Sequence, residues 1–381
     1  MGERLAPIVV FMLLVGLTSL LADFTYEGGR SVIGPYLEAL GGAILIAGAI
    51  SVGDLVGYAA RLASGLVAGR YARGDPRILW GLTFTGYATN LAIPLLAFAR
   101  DPLEAFLLVV VERAGKGLRA PARDSILKTS TGGIGKGWVY GLHELMDQAG
   151  AVLGPLALAY WLHAHGYSGA YLRLAPMVGL SLATLAAALL VWSRLLGSPS
   201  PRPSRPPSLR GPAGLLAGVS SYRLAMAHWG LAGYILASQG LPPERIAQLY
   251  ALAMAVDGLA AIPLGGLYQA LGARTLYMLP PLAAASTILF LQGEPVAAAI
   301  LWGLATAVDE VAVKAAIADS APSGEEPVWF GVYGGLQGLA WTLGNLALAA
   351  LATPAAMVAY TIAAGALSIV WLGWSLEKMR G

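Results

Sequence analysis

The sequence predicts an all-α membrane protein in which twelve transmembrane helices form two pseudo-symmetric six-helix bundles. Three observations predict it. The chain of 381 residues is 57% hydrophobic and only 12% charged, with a mean hydropathy of +0.67, whereas an ordinary soluble domain is about 25% charged. Apolar runs recur along it at the length of a bilayer crossing, roughly 20 residues each. A single proline-rich break separates two halves that resemble each other.

Apolar stretches bounded by Gly, Pro and charged residues place helices 1 to 6 near 5–37, 42–70, 77–99, 102–125, 137–164 and 171–196. Helices 7 to 12 fall near 213–238, 243–270, 273–292, 295–320, 326–351 and 353–378. Twelve crossings use roughly 240 residues and leave short loops, with no room for a further soluble domain. The first apolar run, Ala6 to Ala22, leads directly into Asp23 without a small-residue cleavage site, so it reads as a spanning helix rather than a signal peptide. The segment from Gly197 to Pro212 is too dense in proline to continue a helix and reads as a linker between domains 1–196 and 213–381.

Positive charge sets the expected orientation. Arg70, Arg73 and Arg77, Lys128 and Lys136, the linker arginines Arg202, Arg205 and Arg210 with Arg194, Arg274, and Lys378 with Arg380 all fall on one side. The opposite loops carry little more than Arg100, Arg173 and Arg245. Both termini and the linker are therefore expected in the cytoplasm, with the chain in the cell membrane. A net charge of +3 is too small to suggest nucleic-acid binding, and the absence of cysteine excludes disulfide and thiol chemistry.

The halves align. Gly141 and Gly331 correspond at an offset of 190, as do Gly154 and Gly344, and Arg123-Asp-Ser-Ile-Leu matches Lys314-Ala-Ala-Ile-Ala at an offset of 191. Two similar six-helix halves in the same orientation form a parallel transporter repeat. Helix 5 carries Gly141, Gly150 and Gly154-Pro155; small residues let helices approach closely, and a proline bends a helix. Helix 4 carries Glu112-Arg113-Ala-Gly-Lys-Gly-Leu-Arg119-Ala-Pro-Ala-Arg123-Asp124.

On these residues the chain resembles the major facilitator superfamily over nearly its whole length. The helix-5 pattern is similar to that of the superfamily's drug and metabolite proton antiporters, with Leu158 in place of the usual last glycine. Arg113 stands at the position of that group's helix-4 arginine, which is linked to proton coupling, and Lys116 stands where the motif has glutamine. The Gly-Lys-Gly run followed by Pro-x-Arg-Asp resembles an uncharacterised prokaryotic subgroup more closely, and Asp23, Glu27, His143 and Asp147 agree with it. After helix 2, Gly69 replaces the superfamily's aspartate before Arg70, and Gln269 stands at the acidic position of the second copy. Asp75 or Asp124 is the candidate substitute in the cytoplasmic latch.

Charges at membrane depth face a cavity or a partner. Asp23 and Glu27 are four residues apart on one face of helix 1. Glu112 and Arg113 lie in helix 4, Glu144 and Asp147 beside His143 in helix 5. Burial favours a neutral carboxyl and a neighbouring cation favours the charged form, so such residues can take up and release protons as a cavity opens. The expected proton-coupling residues are Asp23, Glu27, Glu112, Arg113, Glu144 and Asp147. The expected substrate contacts are Asp23, Glu27, Arg30, His143, Asp147, Tyr333 and Glu310. The expected conformational residues are Gly141, Gly150, Gly154, Pro155, Arg70 and Asp124. His228 reads as a hydrogen-bonded structural residue, and Trp138 and Trp329 as members of an interfacial belt.

Enzymatic readings do not hold. His143-Glu144-Leu-Met-Asp147 lacks the second histidine of a zinc-protease helix, and Gly132-Gly-Ile-Gly-Lys136-Gly137 lacks the Ser/Thr of a phosphate loop. No enzyme activity, cofactor or resident metal is expected. The resemblance implies a secondary transporter that couples proton movement to efflux of a small organic molecule by alternating access. The expected partners are that substrate, a proton or other coupling ion and the lipid bilayer, with the protein a monomer. Two alternatives stand beside it. One is a divalent metal-ion exporter using Asp23, Glu27, His143 and Asp147; the other is a non-transporting membrane sensor or scaffold.

Overall fold

The computed structural model describes residues 5–71, 75–129, 136–196, 212–322 and 325–378. The proline-rich linker lies outside the described residues except for Pro212, as do Arg73, Arg380 and the side chains of Arg70, Lys128, Lys136, Trp138 and Tyr140. Every regular element is helical, and no strand occurs among the described residues. Among the described residues, six segments are long and apolar enough to cross a membrane by length and composition alone, and one of them, Pro243–Gln292, holds two helices.

All twelve helices form, several in pieces. Helix 1 runs Leu5–Ser31 and continues as Ile33–Ala39; helix 2 is Ile44–Ala49 and Ser51–Tyr71. Helix 3 begins at Pro76 with Asp75 as its cap, the carboxylate accepting the Arg77 amide at 2.9 Å. Helix 4 is Pro102–Thr129. Helix 5 is contained in Lys136–Leu172, which is interrupted at Gly166, where φ is 63°. Helix 6 is Ala175–Val191, closed by a π turn.

Helix 7 corrects the expectation of an unbroken helix over 213–238. It is Ala213–Ser220, a 3-10 turn Ser221–Leu224, and then Trp229–Ser238. Backbone groups freed by such a break must find partners inside protein. They do: Trp341 Nε1 donates to Met226 O at 2.9 Å, Trp302 Nε1 to Ala227 O at 3.0 Å, and the His228 amide to Asn345 Oδ1 at 2.7 Å. Helix 8 is Pro243–Leu271 and helix 9 ends in Leu279–Gln292. Helix 10, Pro295–Val308 and Lys314–Ser320, has a π turn Asp309–Val313 between its parts. Helices 11 and 12 are Glu326–Ala350 and Pro354–Lys378.

The chain packs as two compact units. The first holds Met1–Gly29, Val56–Ala99 and Leu107–Ser204; the second holds Arg30–Leu55, Arg100–Phe106 and Arg205–Gly381. A core of Phe11, Val15, Leu79, Trp80, Tyr87 and Leu185 fills the first unit. Aromatic rings fill the second, with Trp229 centred 4.8 Å from Tyr250, 5.7 Å from Phe290 and 5.5 Å from Trp302. Apolar side chains such as Ile262, 87% exposed, face outward where lipid tails would solvate them.

Candidate functional site

In the first unit, glycines bring backbones together and so decide which side chains meet. A Cβ on Gly57 of helix 2 would lie 2.9 Å from Arg113 O, and one on Gly117 of helix 4 would lie 3.0 Å from the Ala60 Cβ. Helix 4 is thereby pressed on helix 2 beside Lys116. A Cβ on Gly150 of helix 5 would lie 3.0 Å from the Asp23 Cβ, and one on Gly154 would lie 2.8 Å from the Phe24 carbonyl carbon. These two motif glycines seat helix 5 on helix 1 at Asp23, whereas Gly141 has nothing within 4 Å.

Tyr26 of helix 1, 2% exposed, is the centre of what results. Lys116 Nζ donates to its hydroxyl at 2.7 Å and stands 3.6 Å from Glu27 Oε1. The Arg119 and Arg113 guanidinium carbons lie 5.3 and 5.7 Å from the ring centroid. Arg119 NH1 donates to Asn90 Oδ1 at 3.0 Å and to Gly86 O at 3.2 Å. Arg113 Nε is 3.4 Å from Glu112 Oε2. Asp23 is half-buried and lies within electrostatic reach of Lys116, Arg119, Glu27 and Asp147.

One turn further along helix 1, Ser19 joins three helices. Its hydroxyl meets Tyr87 OH at 2.8 Å and His143 Nε2 at 3.4 Å, and it accepts from Arg123 NH1 at 3.2 Å. Asp147 Oδ2 stands 3.6 Å from His143 Nε2 and 3.8 Å from Arg123 NH1. Arg123 also pairs with Asp124 at 3.0 Å. Expected residues Asp23, Glu27, Arg113, His143 and Asp147 therefore share this unit with Glu112, while Glu144 is exposed on helix 5.

The second unit holds a separate network. Asp309, at the start of the π turn, accepts from Arg223 NH2 at 3.1 Å, from Gln337 Nε2 at 2.7 Å and from the Tyr333 hydroxyl. Arg223 lies 3.9 Å over the Trp341 ring and 4.9 Å from Tyr222. His228 Nε2 meets Asp54 Oδ2 at 2.9 Å, and Arg30 NH2 is 3.9 Å from Asp54 Oδ1. Tyr333 thus lies on a buried carboxylate. Arg30 belongs to the Asp54 group in this unit. Glu310 is half-buried and lies 3.5 Å from the exposed Lys314, within its own helix.

The two networks carry opposite polarity. Helices 1 and 4 bring an acid from helix 1 to a cation of helix 4, Glu27 to Lys116. Helices 7 and 10, their counterparts in the sequence repeat, bring a cation from helix 7 to an acid of helix 10, Arg223 to Asp309. Sequence reasoning passed over Arg223, Gln337, Tyr87 and Asn90. None of them belongs to a charge pattern on its own helix, and Arg223 is 86 residues from its carboxylate.

No family model matches the chain. An uncharacterized protein of Mycobacterium tuberculosis is 33% identical over an alignment of 393 positions that covers 97% of the chain and 91% of the relative. An uncharacterized MFS-type transporter of Methanocaldococcus jannaschii is 29% identical over 169 positions, 44% of the chain and 41% of that protein. Among solved structures, a peptide transporter POT in complex with sulfate superposes with a TM-score of 0.75 at 14% identity, covering 96% of the chain and 94% of that one. The fold is the major facilitator fold.

Proposed function

We propose, from the premise that the chain belongs to the family of the Mycobacterium tuberculosis protein and has the major facilitator fold, that it is a secondary active transporter exchanging protons for a small organic molecule. The observation that carries this reading is the Glu27–Lys116 pair. Glu27 is 8% exposed while Lys116 is 40% exposed, and their 3.6 Å separation is looser than a good charged hydrogen bond. A solute that draws Lys116 away lessens the positive charge beside Glu27, and a buried carboxylate with less positive charge beside it takes up a proton more readily. Solute and proton then compete for one group, which is what exchange requires. Asp23, on the same helical face and in reach of the same lysine, is the second exchanging group.

Outward movement is supported by the helix-5 pattern of Gly141, Gly150, Gly154 and Pro155, which resembles that of proton antiporters. A facilitator-fold relative described as a transporter agrees with the class. The test is reconstitution in liposomes with an imposed pH gradient and a broad panel of small organic solutes. Gradient-driven movement of at least one solute is expected, abolished by Glu27→Gln or Asp23→Asn. A panel in which nothing responds to the gradient, or variants that move solute like the native chain, sinks the proposal.

A further inference from the structure

Two charges beside the Glu27–Lys116 pair have no ion-pair partner of their own among the described residues. Arg119 is 3% exposed, and its hydrogen-bond partners, Asn90 Oδ1 and Gly86 O, are neutral. Its guanidinium otherwise faces rings, 5.3 Å from Tyr26 and 4.6 Å from Tyr87, and no carboxylate lies within ion-pair distance of it among the described residues. Asp23 is its complement: a half-buried carboxylate with no ion pair or hydrogen bond among the described residues, within electrostatic reach of both Arg119 and Lys116. A buried charge left unpaired is costly. Here one of each sign is held in reach of the other around the Tyr26 ring without closing on it. Glycine contacts fix the backbones on both sides, Gly150 beside Asp23 and Gly115 beside Thr89, one turn before Arg119.

A ligand bearing one charge would satisfy one of these groups and leave the other exposed to its field. A ligand bearing both would satisfy the two together. A guanidinium and an ammonium on one helix suit a carboxylate, the guanidinium in two-pronged fashion. Two carboxylates on helix 1 suit an ammonium, while the Tyr26 face is held by Lys116 Nζ, 4.1 Å from its centroid. We infer that the first unit binds a small amphoteric molecule, its acid group on Arg119 and Lys116 and its amine on Asp23 and Glu27, with Tyr26 between them. This rests on the transport reading for its purpose, although binding itself does not.

The probes are glycine, 4-aminobutyrate and 6-aminohexanoate, which separate the two charges by increasing lengths, each with its methyl ester and its N-acetyl form. Binding to the purified full chain is read by thermal shift and calorimetry. At least one amphoteric probe is expected to raise the unfolding midpoint, with both blocked forms binding about tenfold or more weakly. Asp23→Asn is expected to erase the preference for a free amine, and Lys116→Gln to weaken the preference for a free acid. Arg119→Gln should weaken it further, and if that buried variant does not fold the other two still decide. The inference is overturned if no amphoteric probe binds, if a blocked form binds as well as its parent, or if both folded variants bind like the native chain. Binding that meets these requirements with no liposome flux overturns the transport reading alone. Gradient-driven flux of a singly charged or neutral solute that Arg119→Gln leaves unchanged overturns this inference alone.

Discussion

His228 lies 2.9 Å from Asp54 through Nε2, while its Nδ1 accepts the Gly230 amide at 3.0 Å. The second bond fixes the tautomer: Nδ1 is the acceptor, so Nε2 carries the hydrogen and donates it to the carboxylate. The histidine caps the second part of helix 7 and reaches helix 2 in one side chain. Around it the Arg30–Leu55 segment is tied to helices 7 and 11 by Trp229 Nε1 on Ser31 O at 3.0 Å, Tyr234 on Gly42 O at 2.8 Å and Thr342 on Ser51 O at 3.2 Å.

Removing the carboxylate should loosen that segment. Asp54→Ala leaves a buried imidazole donor unsatisfied, which costs about 1–3 kcal/mol. The native chain has no cysteine, so a single Ser51→Cys reports cleanly. Ser51 is buried, and the cysteine should react slowly with a maleimide in the native background and several-fold faster with Asp54→Ala. Equal rates in both backgrounds would mean that the Asp54 contact does not hold the segment.

Asp309 is expected to anchor a structural network. Three donors converge on it, and both carboxylate oxygens are taken. Arg223→Gln strands the carboxylate in a buried site and should cost roughly 3–5 kcal/mol, while replacing both partners with apolar residues of similar size should cost less than either single change. A double-mutant cycle on the thermal midpoint of purified protein measures this. Additive single and double effects would show that the pair does not act as a unit.

How far the sequence reveals all this follows from range. The crossings are legible because charge is expensive in a bilayer and apolar runs must match its thickness. Asp23 and Glu27 are legible because they share a helical face in an apolar run. The break in helix 7 is not legible: Ser220-Ser-Tyr-Arg-Leu contains neither proline nor glycine, and the break is held open by Trp341, Trp302 and Asn345 from distant helices. Arg223 is hidden for the same reason, as a lone arginine until the π turn of helix 10 presents Asp309 to it. Lys116 was visible as a departure from a motif, but its partner Tyr26 is 90 residues away and emerges only through packing.

The motif glycines of helix 5 should differ sharply in tolerance. Gly150→Val places methyl groups against Asp23 and the Phe24 backbone, where even a Cβ would come within 3.0 Å, and should reduce folded yield and transport together. Gly141 is exposed with open space around it, so Gly141→Ala should fold normally and gain about 0.5–1 kcal/mol from helix propensity. Thermal midpoints of the two variants decide it. A Gly141→Ala variant as damaged as Gly150→Val would assign Gly141 a packing role that its surroundings here do not give it.

Metal addition supplies the remaining test, on His143 and Asp147. Both face a cation already supplied by the chain: Arg123 NH1 lies 3.8 Å from Asp147 Oδ2 and 3.2 Å from the Ser19 hydroxyl that also meets His143. A divalent ion would have to displace a guanidinium held by Asp124 at 3.0 Å as well. Zinc or manganese should therefore produce no saturable heat and no midpoint shift in the native chain, and His143→Ala should leave both unchanged. Removing the guanidinium with Arg123→Gln should open a weak response to the same ions, because His143 and Asp147 then face each other at 3.6 Å without that guanidinium against them. Tight metal binding by the native chain that His143→Ala removes would favour a metal-ion exporter over exchange of an organic solute.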